Sequence, residues 1–224
     1  LMMKFFDGEA FTEEEIQKGL HAAIADDIFV PLVAGNAQTS KGVKRLMDKL
    51  VDLMPHPQRA HKIKAIKDGK EIEVGVDPSA PFCAQVIKSV VDPYVGKLLI
   101  FKVLGGKLSS GDTVYNVSVD KTEKIGTLYV LKGKKQEPVD CLNAGDIGAV
   151  AKLVYTNTND TLATPDNKIQ FEKIEFPKPV ISYAVKALKD EEKAIQGLIK
   201  MQEEDATFKV EKNVETGDVL ISGL

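Results

Sequence analysis

LLIFKVLGGKLSSGDTVYNVSV, residues 98–119, holds two apolar, β-branched runs, 98–104 and 113–119. Gly105-Gly106 and Gly111-Asp112 separate them with turn signals and leave no room for a helix between. The same texture continues on both sides. Further runs lie near 82–91, 124–131 and 147–155, punctuated by Asp92-Pro93, Gly133, Gly145-Asp146 and Asn159-Asp160. Upstream, residues 63–74 read as a hairpin about Asp68-Gly69, followed by a Pro78 to Pro81 turn. Five or more closely spaced strands with Gly-rich turns predict a small closed β-barrel, which removes exposed sheet edges and ends near Phe176-Pro177.

The flanks have other periods. Thr12 and Glu15 have capping-box spacing, and Ile16, Leu20, Ala23 and Ile24 recur at helical intervals, predicting a helix over 13–25. Ile28 to Ala34 reads as a buried strand. Val43, Leu46, Met47, Leu50 and Val51 predict a second helix with Ser40 as N-cap, stopped by Pro55 and Pro57. This is the end of an α/β layer, and the parallel strands that would complete its sheet are absent from the sequence. After Pro179 come a strand (Val180 to Leu188), a helix with Ala194, Ile195, Leu198 and Ile199 on one face, and strands near 206–211 and 218–222. That β-α-β-β order is the first part of a ferredoxin-like unit. The expected fold is thus a multidomain α/β piece, an all-β barrel and a partial α+β domain, divided as 1–57, 58–177 (a linker hairpin and the barrel) and 178–224. Both ends read as cut inside a domain.

The chain has 224 residues, 28% of them charged and 43% hydrophobic, with 30 Lys plus Arg against 33 Asp plus Glu, which places it among globular proteins without a bulk electrostatic hold on nucleic acid. No window approaches a membrane span, and no signal peptide is recognisable, so a cytoplasmic protein is expected. The sharpest basic excess runs from His56 to Lys70, where Arg59, Lys62, Lys64, Lys67 and Lys70 face only Asp68. Cys83 and Cys141 sit in strand-like contexts without further ligands at metal spacing and read as buried free thiols.

Nothing in the sequence assembles a catalytic constellation. His21, His56 and His61 have no Ser, Cys or paired carboxylate in a recognisable frame and read as surface residues, and no metal site is expected. The stretch Gly35 to Gly42 is not a P-loop, because Lys41 precedes Gly42 where a P-loop has Gly before Lys. Asn167-Lys168 lacks the following Asp of a guanine-reading motif.

Taken together, several ordered stretches resemble the bacterial elongation factor G family. Ala34 to Pro57 (AGNAQTSKGVKRLMDKLVDLMPHP) is similar to the last loop, strand end and helix of its GTPase domain. Asp92 to Leu98 and Phe101 to Gly111 resemble the opening of its second domain, a β-barrel. Ala144 to Leu153, Asp160 to Leu162, Phe176 to Ser182 and Glu203 to Gly223 continue in family order into its third domain. The chain departs from the family pattern at Asn36-Ala37-Gln38 and at Leu104-Gly105, as in a diverged paralogue.

The resemblance implies that 1–57 is the C-terminal part of a translational GTPase domain. It implies a ribosome-associated factor acting in GTP-dependent translocation, with a ribosomal protection protein of the same architecture or a stand-alone RNA-binding barrel as alternatives. GTP or GDP and Mg would serve the full-length parent and none would bind this chain, although Asn36, Ala37 and Gln38 stand where a backbone amide reads the guanine carbonyl. The partners implied are small-subunit rRNA and ribosomal proteins, met by a monomer with no membrane role. Lys97, Lys102, Lys107, Arg59, Lys62 and Lys64 are the candidate rRNA-binding residues.

Overall fold

The capping box forms as its spacing predicts. Thr12 Oγ1 accepts the Glu15 N–H, the Glu15 carboxylate accepts the Thr12 N–H at 2.9 Å, and helix α2 (Glu13–Ala25) follows a short helix α1 (Met2–Phe6). The Lys4 ammonium, 2.7 Å from the same carboxylate, and the Thr12 N–H together hold the Glu15 pKa down to about 2. In this computed structural model residues 1–59, 62–92, 96–133, 135–187 and 189–224 are described, in two units, 1–62 and 63–224. His61, Pro93 of the Asp92-Pro93 turn and Leu188 at the end of the third-domain strand lie outside the described residues.

Two expectations for the first unit are corrected. Helix α3 (Val43–Leu53) is capped by Gly42, in a left-handed conformation without a side-chain bond, while Ser40 sits in the preceding turn with its N–H on Ala37 O. Ile28 to Ala34 forms no strand, its first two N–H groups bonding back to Ala23 O, and it is not buried: Leu32 is 97% exposed. A strand needs a neighbour to bond, and among the described residues none lies beside it.

In the second unit the chain runs through β1 (Ile63–Lys67), β2 (Lys70–Val74), β3 (Cys83–Asp92), β4 (Gly96–Gly105), β5 (Lys107–Ser109), β6 (Thr113–Asn116), β7 (Lys121–Lys124) and β8 (Leu128–Lys132). It continues through β9 (Lys135–Val139), β10 (Cys141–Asn143), β11 (Ile147–Ala151), β12 (Thr161–Ala163) and β13 (Ile169–Phe171). Eight of these form one antiparallel sheet in the order β7-β6-β12-β3-β4-β11-β8-β9, with a register shift between Val86 and Lys88. It curls around a core that includes Val86, Leu99, Phe101, Val103, Val114, Leu128, Val150 and Leu162, and the β5–β10 ribbon adds Leu108 and Leu142. The barrel is as expected, but among the described residues no strand pairing closes it, and β7 and β9 remain the ends of the sheet. Its strands are shorter than the sequence runs: 124–131 is split between β7 and β8, and 147–155 leaves the sheet after Ala151.

The 63–74 hairpin turns at Asp68 (φ 51°) and Gly69 (φ 74°), both left-handed as a two-residue hairpin turn requires. It is a wall of a second core and not a free linker. β1 also pairs with β13, and Ala65, Cys83, Leu104, Ala163, Ile169 and Phe171 pack together beneath this three-stranded sheet. The Phe171 N–H on Thr161 Oγ1 and the Gln85 side-chain amide on Glu172 O bind it to the barrel strands. Burial pushes the Cys83 thiol up to about 11, whereas Cys141 is only half-buried, less than expected.

The last stretch is β14 (Ile181–Val185), α4 (Glu191–Glu204), β15 (Lys209–Lys212) and β16 (Val219–Gly223), in the sheet order β14-β16-β15. Asp190 caps α4 through the Lys193 N–H. The predicted face of Ala194, Ile195 and Leu198 meets Val185 and Val219, while Ile199 is largely exposed. Val219 is the one buried hydrophobic residue among the described residues of this element.

Two tests follow from this packing. A Cβ on Gly106 (φ 63°) would lie 2.6 Å from Ala80 O and 2.9 Å from Phe82 N, both backbone, so Gly106→Ala should cost about 2–4 kcal/mol in denaturant unfolding. Gly126→Ala, which meets nothing within 4 Å, should be near neutral. In native-state hydrogen exchange, amides of β14 to β16 should open at lower free energy than those of β3, β4 and β11, and equal protection would refute this ranking.

Candidate functional site

Residues 35–42 form a loop whose ends nearly touch. Asn36 N–H donates to Lys41 O at 2.9 Å, and a Cβ on Gly42 would lie 2.8 Å from Ala34 O, so only glycine fits that neck. Asn36 Oδ1 accepts the Thr39 N–H, which commits its side chain to the loop itself. Among the described residues the Ala37 and Gln38 N–H groups make no hydrogen bond, and both residues are exposed. The loop is therefore a built turn that presents backbone donors. It carries no phosphate cradle, and among the described residues no group of three or more His, Cys, Asp or Glu is placed to hold a metal.

The candidate lysines of the barrel do not converge. On β4, Lys97 shares the parity of the inward Leu99, Phe101 and Val103 and lies at the barrel end, where its ammonium donates to Asn157 Oδ1. Lys102 has the opposite parity and stands outside, paired in register with Gln85 and Ile147. At roughly 3.3 Å per residue the two are about 16 Å apart along the strand. Lys107 starts β5, beyond the Gly105-Gly106 corner. Arg59, in a single 3-10 turn, and Lys62 are exposed in the first unit. Lys64 points outward from β1 opposite Glu73, and Glu71 and Glu172 line the same shallow recess, so acids offset that face.

What the sequence reading missed is a polar network under the 152–160 loop. Glu123, on β7, is buried, and its carboxylate accepts the Val154 N–H at 2.6 Å, the Tyr155 N–H at 3.1 Å and the Thr156 hydroxyl. Asn116, fully buried, donates to Thr156 Oγ1 and to Asp160 Oδ2, and the latter also accepts the Asn157 N–H. Asn159 clamps Ile174 through both of its side-chain polar atoms. The result is a stiff loop that lifts Val154 (77% exposed) and Tyr155 (50% exposed) into solvent, with Lys121 Nζ 6.0 Å from the Tyr155 ring centre. The sequence reading placed the end of a strand run (147–155) and the Asn159-Asp160 turn signal here but not the network, because a strand reading Lys-Thr-Glu-Lys looks solvated.

The β-barrel and the β-α-β-β element with sheet order β14-β16-β15 each correspond to a known domain family of translation factors. Residues 81–165 match elongation factor G domain 2 and residues 176–224 match elongation factor G domain III. The chain belongs to the elongation factor G family. Elongation factor G of Thermotoga maritima and that of Thermotoga neapolitana are each 38% identical to it over 228 aligned positions, covering 100% of this chain and 33% of each relative. A crystal structure of a Thermus thermophilus protein superposes with a TM-score of 0.76 at 26% identity, over 99% of this chain and 32% of that one. The chain thus spans about a third of the length of the curated relatives it matches.

The Glu123 network makes a direct prediction. Glu123→Gln replaces one acceptor oxygen by a donor facing groups that donate, so it should destabilise the chain by about 1–3 kcal/mol. The Val154 and Tyr155 amides should also lose exchange protection. Unchanged protection at both would show that the carboxylate does not hold the loop.

Proposed function

We propose that this chain is part of a ribosome-associated translational GTPase of the elongation factor G type, serving GTP-dependent translocation. In this reading residues 1–57 are the tail of the GTPase domain, 58–177 the second domain and 178–224 the first part of the third. The observation that carries it is the ordered run of second- and third-domain matches within one chain. The barrel would meet small-subunit rRNA, with ribosomal proteins as further contacts, and the third domain would pass conformational strain between nucleotide site and ribosome. GTP or GDP with Mg would belong to the parent, where Asn36 to Gln38 could offer backbone donors to a guanine ring. No helix is long and apolar enough to cross a membrane, and a monomer acting in the cytoplasm suits the reading.

The chain alone should bind GDP too weakly for calorimetry at micromolar concentration, because one or two neutral hydrogen bonds of about 0.5–1.5 kcal/mol each do not offset the entropy of association. It should cosediment with purified small ribosomal subunits at low salt and be released between about 50 and 200 mM, as phosphate contacts require. No cosedimentation at low salt would overturn the ribosomal reading.

A further inference from the structure

Around the loop held by Glu123, Lys97 of β4, Lys121 of β7 and Lys152, which follows β11, flank a stretch that exposes an aromatic ring. Lys97 reaches Asn157 Oδ1, and the Asn157 side-chain amide donates to Tyr155 O at 3.2 Å. Lys121 stands over the Tyr155 ring. Lys152, exposed and in a left-handed conformation, has its N–H on Lys97 O at 3.4 Å and leads into the loop.

The nearby acids are mostly engaged already. Glu123 and Asp160 are buried and held by N–H and O–H donors, and Asp120, next to Lys121 in sequence, accepts the Tyr115 hydroxyl. Glu203 of α4 borders the opposite side, beside Asn157 and Thr158. The face is thus locally cationic on a chain whose net charge is −3.

We propose that Tyr155, with Lys97, Lys121 and Lys152, is a docking point for unpaired RNA, in which an unstacked base lies on the tyrosine ring and flanking phosphates meet the three ammonium groups. Aromatic rings accept any base by its π-face, and lysines beside them track the backbone. The buried carboxylate pays the ordering cost of the loop in advance, so the ring is presented in place. This deepens the ribosomal reading and rests on it for the source of the RNA. It also moves the contact from Lys102 and Lys107 to the barrel end that holds Lys97.

The test uses the 224-residue chain in two assays. Anisotropy with a labelled oligouridylate of about twelve nucleotides reads the patch itself, and cosedimentation with small ribosomal subunits reads its use. Tyr155→Ala should weaken oligouridylate binding about tenfold while Tyr155→Phe stays within about twofold, since the ring and not the hydroxyl is used. Replacing Lys97, Lys121 and Lys152 by Ala should lower the slope of log affinity against log salt by about two, and replacing Lys102 and Lys107 should leave it unchanged. Unfolding midpoints of all variants control for folding.

Binding of inorganic polyphosphate as tight as oligouridylate, or insensitivity to Tyr155→Ala, would overturn the proposal. Subunit binding untouched by these variants would overturn it while sparing the ribosomal reading. Tyr155-dependent oligouridylate binding without subunit binding would do the reverse.

Discussion

β3 and β4 must serve two cores at once. Along β4, Leu99, Phe101 and Val103 point into the barrel while Leu104 points into the second core beneath the β13-β1-β2 sheet, and on β3 the neighbours Cys83 and Ala84 divide in the same way. Side chains alternate with period two, so a slip of one residue would empty both cores together. Most other parts take their position from this shared pair. β12 pairs with β3, with Leu162 facing one core and Ala163 the other. The hairpin and β13 lie on the far side of the pair, and the β5–β10 ribbon starts where Gly105 and Gly106 bend β4 against Pro81 and Phe82.

Much of this was legible because it is written in short range. The Thr12 to Glu15 box and the Asp68-Gly69 turn each need only a few consecutive residues. The barrel was legible as a class, since runs such as 98–104 are too apolar for a solvated strand. Its short strands β5, β10, β12 and β13 were not, because three-residue segments such as Thr161–Ala163 become strands only through distant partners. Ile28 to Ala34 failed in the opposite direction: its composition suits a strand, but the neighbour that would make it one is missing from the described residues.

The site was less readable than the fold. Asn36 to Gln38 could be placed through likeness to a family, and the structure adds that Asn36 is occupied within its own turn. The lysines were chosen by sequence proximity within the barrel, yet strand parity sends Lys97 and Lys102 to different sides. Glu123 escaped notice because a carboxylate in a polar tetrapeptide looks exposed. Its burial depends on donors from residues 154–156, some thirty positions later.

The two cysteines differ in a way that matters at the bench. Cys83 is buried in the second core with its thiol pushed up to about 11, so at neutral pH almost none of it is the reactive thiolate. Cys141, in the β5–β10 ribbon, is the more accessible of the pair. Maleimide or nitroxide reagents should therefore attach at a single natural position on the barrel, without any cysteine having to be removed. A fluorophore placed there would report the motion of the barrel against whatever surface it docks on.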